Sequence, residues 1–183
     1  MNGLPMASVL PIAASGSPAD RVAALFDTHH DRLYRLARRL VPTADEARDL
    51  VQETFLQVAR APMRVPHGCR DEEAWLVRVL VNLRGDQWRK AAVRKRHSDE
   101  VKRSAEVAAN EESALVARAA VWAALDTLAP RRRAVIVMHE LEGLDMSEIG
   151  VLLGISAVTV RWHLSKARRE LARILAPQIG DNR

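Results

Sequence analysis

A single cysteine, Cys69, is all that the 183 residues contain, which excludes an internal disulfide and agrees with a reducing compartment. Aromatic residues make up only 4%, so the 48% of hydrophobic side chains must build their cores from Leu, Val, Ala and Ile. Glycine (8) and proline (8) are sparse, and no alternating run of β-branched residues sits between turn residues. Nothing favours a sheet, and the expected class is all-α. No apolar stretch approaches the roughly 20 residues that cross a bilayer, so stable membrane insertion is not expected. Met1 to Ser17 has a short apolar run with no basic residues before it. It reads as a flexible extension rather than a secretory leader, and the protein is expected to be cytoplasmic. Gly-rich phosphate loops and nucleophile motifs are missing as well. His67-Gly68-Cys69 has no second Cys or His pair at ligand spacing, and His29 and His30, adjacent on a helix, would point about 100° apart. An enzyme, a metal and any other cofactor are all disfavoured.

What is present is positive charge, and it is unevenly placed. The net charge of +5 and pI near 10.1 suit an anionic partner, either a nucleic acid or a membrane surface. From Arg84 to Arg103 eight cations face three acids, and a second block follows Arg161. Two separate basic surfaces suggest two contacts with one polyanion.

The stretch Asp145 to Leu171 predicts two short helices joined by a tight turn. Asp145 with Glu148 has capping-box spacing, Gly154 stands where the first helix must turn, and Ser156 is placed to cap the second. Ile149, Leu152, Leu153, Ile155, Val160, Leu164, Ala167 and Leu171 form the inward seam. Arg161, Trp162, Ser165, Lys166, Arg168 and Arg169 are left facing outward. Lys and Arg usually face water merely because they are charged. A helix with an apolar back and a cationic, hydrogen-bonding front, reached through this series of cap, glycine and cap, also fits the major groove of DNA.

Elsewhere the apolar spacing predicts a helix over Asp20 to Leu40, with Val22, Leu25, Phe26, Leu33, Leu36, Ala37 and Leu40 inward, ended by Pro42. A second helix follows a Thr43/Glu46 capping box, with Ala47, Leu50, Val51, Thr54, Phe55 and Val58 inward and an acidic outer face of Asp45, Glu46, Asp49, Gln52 and Glu53. That face is either simple solvation or a docking surface for a basic partner. A loop from Ala61 to Arg70 precedes a third helix from Asp71 with Trp75, Leu76, Val79, Leu80 and Leu83 inward. This helix runs on through Asp86, Trp88 and Arg89. Trp88 is either partly buried core or an aromatic that stacks on unpaired bases. Periodicity lapses near 96–113, the expected linker, and resumes in a four-helix unit over 114–176 with a short tail at 177–183. The expected organisation is therefore an extension (1–19), a helical domain (20–95), a linker and a second helical domain.

Leu33-Tyr-Arg-Leu-Ala37, Asp45-Glu-Ala-Arg-Asp-Leu-Val-Gln-Glu-Thr-Phe-Leu56, Trp75-Leu-Val-Arg-Val-Leu-Val-Asn82, Leu125-Asp-Thr-Leu-Ala-Pro-Arg131 and Glu140-Leu-Glu-Gly143, in this order ahead of the helix-turn-helix, resemble an extracytoplasmic-function (ECF) sigma factor of RNA polymerase. The resemblance implies two helical domains, one on core polymerase and the minus-ten element, the other on the minus-thirty-five element. It implies that Asp49, Leu50, Gln52, Glu53 and Phe55 dock on the β′ clamp helices, with a second contact to the β flap. It implies that Trp75, Asn82, Asp86, Trp88 and Arg89 meet the non-template strand at the minus-ten element, and that Arg161, Trp162, Ser165 and Lys166, backed by Arg168 and Arg169, meet the minus-thirty-five duplex. The partners it implies are core RNA polymerase, promoter DNA and an anti-sigma factor. Two features depart from the family pattern: the loop before Trp75 carries His67-Gly68-Cys69-Arg70 in place of an aromatic, and Trp162 replaces a small residue. A conventional helix-turn-helix regulator would explain Asp145 to Leu171 but would leave the acidic helix and the segment Trp75 to Lys90 without a task.

Overall fold

The computed structural model describes residues 17–97 and 112–180, which form seven α-helices and one 3-10 turn. The N-terminal three are α1 (Pro18–Leu40), α2 (Ala44–Arg60) and α3 (Cys69–His97), with the 3-10 turn at Pro62–Arg64. The C-terminal four are α4 (Glu112–Thr127), α5 (Pro130–Glu140), α6 (Met146–Leu153) and α7 (Ala157–Gly180). The all-α expectation holds.

Local chemistry sets the helix ends. Ser17 Oγ accepts from the Asp20 N–H at 3.2 Å while the Asp20 carboxylate accepts from the Ser17 N–H at 2.8 Å, and Pro18 supplies the preset φ of a first turn. α1 thus starts inside the stretch expected to be an extension. Val41 is extended ahead of Pro42 and stops it. Thr43 Oγ1 accepts from the Glu46 N–H at 3.1 Å, but the return bond of a capping box is not formed, so α2 opens on a simple cap. α7 extends past Ala176 into the expected tail, and the expected linker is entered by α3 as far as His97 and by α4 from Glu112. The remaining linker positions and residues 1–16 lie outside the described residues.

Helices α1, α2 and α3 pack on one another through Leu25, Leu33, Leu36, Leu40, Leu50, Val58, Leu76 and Leu80, all essentially inaccessible to solvent. His29, considered above as a metal ligand, is buried in this unit, and its Nε2 lies 3.1 Å from Glu72 Oε2. Burial pushes the Glu72 carboxyl up, but the hydrogen bond to His29 and the Arg21 guanidinium at 3.0 Å outweigh it and hold the pKa below the ordinary carboxylate range. Phe26, expected inward, is 43% exposed and leans on Phe55 at the rim of the α1/α2 stripe.

The C-terminal helices gather round α7, and the buried side chains of both units form one continuous cluster. α3 packs against α5 and α6, and α1 against α5. Glu142, in the turn between α5 and α6, is clasped by two arginines of α1, Arg32 at 2.7 Å and Arg39 at 3.0 Å, and its side chain is only 6% exposed. Asp126 of α4 takes Arg84 of α3 at 3.1 Å and also the buried Arg133 of α5, whose guanidinium stacks over Trp122. Burial lowers the Arg133 pKa against the pull of Asp126, and the charge of Arg84 adds to the lowering.

Candidate nucleic-acid interface

The helix-turn-helix is built as its residue types require. Asp145 Oδ1 accepts from the Ser147 and Glu148 N–H groups at 2.7 and 2.8 Å, and Glu148 Oε2 accepts from the Asp145 N–H at 2.8 Å. Gly154 closes α6 in the left-handed region (φ 66°, ψ 39°), where a Cβ would be strained and would also press on the Arg78 side chain of α3. Gly150 is a second requirement, one that no spacing rule flagged: a Cβ there would lie 2.7 Å from the Ile155 carbonyl oxygen, because the turn folds back directly onto α6. Ser156 Oγ accepts from the Thr159 N–H at 3.2 Å and opens α7. Ile149, Val160, Leu164 and Ala167 are buried along the seam.

The first turns of α7 present Arg161, Trp162 and Ser165 to solvent, with Lys166 half-buried beside them. Val158, one turn earlier and 72% exposed, joins the same face. Arg168 is tied to Glu140 of α5 at 2.7 Å, and Arg169 folds back to donate to the Ser165 carbonyl and hydroxyl, both at 3.3 Å. Arg132 of α5 was missed by the sequence reading. It holds its guanidinium carbon 5.7 Å from the centroid of the Trp162 ring and pairs with Glu170 at 2.6 Å. Its only advance signal was the Arg131-Arg132-Arg133 run after Pro130.

A second surface lies on α3. Asn82, Asp86 and Arg89 recur at four and three residues and are exposed, and Arg89 is paired with Asp86. Trp88 is half-buried, and Trp75, seven residues before Asn82 on the same stripe, is partly buried against the core. Asn82, Asp86, Trp88 and Arg89 line one wall of a groove whose other wall is Ala129, Pro130 and Arg131 of the C-terminal unit.

The third surface is the outer face of α2. Asp49 and Gln52 are exposed, and the Glu53 side chain is 39% exposed, 3.9 Å from Arg60. Leu50 and Phe55 do not belong there. Leu50 is 0% and Phe55 7% exposed, so both serve the core between α1, α2 and α3; Leu50 is sealed off, and Phe55 shows only an edge at the floor of a groove with Phe26, Gln52 and Leu56. Their places on the surface are taken by Leu56 and Phe26, 44% and 43% exposed, which flank the acidic stripe with apolar area.

Residues 25–94 match the family described as Sigma-70 region 2, and residues 118–171 match Sigma-70, region 4. The chain is 35% identical over 147 residues to the RNA polymerase sigma-E factor of Streptomyces coelicolor, covering 80% of each chain. The chain belongs to the ECF sigma factors. The ECF RNA polymerase sigma factor SigE of Mycolicibacterium smegmatis is 37% identical over 153 residues, 81% of this chain and 59% of the relative, so this sigma factor spans little more than half of that protein. Among solved structures, the sigma factor RpoE of Bartonella quintana, in complex with the anti-sigma factor NepR, superposes with a TM-score of 0.58 at 25% identity over 86% of this sigma factor and 97% of that chain. No helix among the described residues is long and apolar enough to cross a membrane.

Proposed function

We propose that this sigma factor binds core RNA polymerase, recognises the minus-thirty-five and minus-ten elements of a promoter and favours their melting, acting as an initiation factor and not as an enzyme. The observation that carries this is the joining, in one chain, of a capped helix-turn-helix presenting Arg161, Trp162 and Ser165 with an exposed polar stripe on α3 beside Trp88 and an acidic stripe on α2. A lone helix-turn-helix regulator needs only the first of these. Melting asks for no bond to be made or broken in the DNA backbone, so binding energy suffices. The C-terminal domain holds duplex DNA through α7, while Asn82, Trp88 and Arg89 capture bases as they unstack, each stacked base contributing about 1–3 kcal/mol to the open form. Asp49, Gln52 and Glu53, rimmed by Leu56, suit a basic docking surface such as the β′ clamp helices, and the C-terminal domain would meet the β flap.

An anti-sigma factor is the further partner, supported by the complex in which the similar RpoE was solved. A protein acting on polymerase in this way would work in the cytoplasm. Co-purification with core polymerase tests the proposal: a stoichiometric complex that binds promoter DNA is expected, and sequence-specific DNA binding without any polymerase complex would favour the lone regulator instead.

A further inference from the structure

Trp162 and Val158 are large apolar side chains set one turn apart on the outward face of α7, 49% and 72% exposed, while Val160, Leu164 and Ala167 behind them are buried. The major groove presents donors and acceptors at every base pair but only one apolar group, the C5-methyl of thymine. Indole offers a single N–H donor, so most of what Trp162 shows to a groove is hydrocarbon.

The ring is also contacted on two sides. Arg132 lies over it at 5.7 Å, within the range of a cation–π contact, and the His163 ring meets it edge-on with centroids 4.9 Å apart. Arg132 is fixed in turn by Glu170, two turns along α7, at 2.6 Å. Its charge is therefore engaged by a carboxylate and an aromatic ring, and its guanidinium serves the indole before it can serve a phosphate. A floppy tryptophan would have to give up rotamer freedom on binding, whereas one braced from α5 has already done so.

We infer that Trp162 reads a thymine methyl in the upstream promoter element and that Arg132 is the positioning residue that holds the indole for it. This rests on the proposal above that α7 lies in the major groove.

The test uses holoenzyme assembled from core polymerase and the full chain. Its best upstream element is selected from a random pool, and each thymine in it is then replaced singly by deoxyuridine, which removes only the methyl. Wild-type affinity is expected to fall about fourfold at one thymine, the equivalent of one buried methyl-sized group. With Trp162→Ala, thymine and deoxyuridine at that position should bind alike. Arg132→Ala should flatten the same ratio while leaving the slope of affinity against salt unchanged, and Arg132→Lys should restore part of it. Glu170→Gln, which keeps Arg132 but loosens its anchor, should act in the same direction, with thermal unfolding used to confirm that each variant is folded. A selected element without thymine, or one indifferent to every deoxyuridine while other base changes still alter affinity, overturns the inference and leaves the groove reading standing. No base preference at all overturns the groove reading itself. An Arg132→Ala slope that falls by about one, with the thymine ratio intact, makes Arg132 a phosphate contact and removes its positioning role.

Discussion

His163 sits half-buried between the exposed indole of Trp162 and the arginines at the start of α5, and its Nδ1 finds no hydrogen-bond partner among the described residues. Burial, followed by the charges of Arg131 and Arg132, pushes its pKa below the ordinary 6.5, so the folded chain binds that proton less tightly than the unfolded one. Stability from this site is complete above pH 6.5 and is lost as the pH falls from there toward the folded value. His163→Gln is expected to remove that part of the decline: between pH 7.5 and pH 5.5 the melting temperature of wild type should fall further than that of the variant, and equal falls would place the titration elsewhere. Single residues such as Asp145, Glu148 and Gly154 were legible in the sequence because a cap or a left-handed turn is decided within four residues. Leu50 and Phe55 were legible as inward positions from their apolar spacing, and it was the family resemblance that set them on the docking face. Phe26, also expected inward, was not legible, because the width of the arc that α1 buries depends on the angle at which α2 crosses it, and that angle leaves Phe26 at the rim against Phe55.

At the scale of the element, α2 and α7 each divide into a buried face that folds and an exposed face to which the proposed function assigns binding. Reversing charge on the outer face of α2 by Asp49→Lys with Glu53→Lys removes only the long Glu53–Arg60 pair, so stability should change by no more than about 0.5 kcal/mol per site. The same double variant should abolish the complex with core polymerase. Wild-type yield in co-purification would take that stripe out of the docking surface. On α7 the two arginines should part company. Arg161→Ala is expected to cost about 1–3 kcal/mol and to weaken discrimination at one or two base pairs of the upstream element. Arg169, which lies two turns further on and bends back over Ser165, should weaken all sequences alike when changed to Ala and reduce the salt slope by about one. Affinities for single-base variants across a salt series separate the two, and exchanged phenotypes would mean that α7 enters the groove in another register. Both helices were legible as elements because their apolar periods are long and their caps local. The Arg132 brace on α7 was not, since a charged residue 30 positions upstream carries no periodic signal.

The largest difference between sequence and structure appears at the scale of the whole molecule. Two domains were legible from the lapse of periodicity near the linker, but their contact was not, because its ion pairs join residues as far apart as Arg32 and Glu142, 110 positions in the chain. Burial alone would lower the Arg32 pKa, yet hydrogen bonds and the charges of Glu142 and Glu73 raise it above its ordinary value, as a tightly held contact requires. Glu142→Lys sets a third cation against Arg32 and Arg39 and should part the domains, seen as a larger radius of gyration in solution scattering. An unchanged radius would assign the contact to the apolar cluster and the Arg84–Asp126 pair. The groove between Asn82, Trp88 and Arg131 would widen with them, making room along its α3 wall for the captured strand of the proposed function. All three surfaces have to act together in one assay, run-off transcription by core polymerase on a library of promoters with and without this sigma factor. Specific transcripts from templates sharing two sequence elements are the predicted result, lost on combining Asp49→Lys with Glu53→Lys and reshaped in sequence preference by Arg161→Ala. Transcription by core polymerase that the protein leaves unchanged on every template would contradict it.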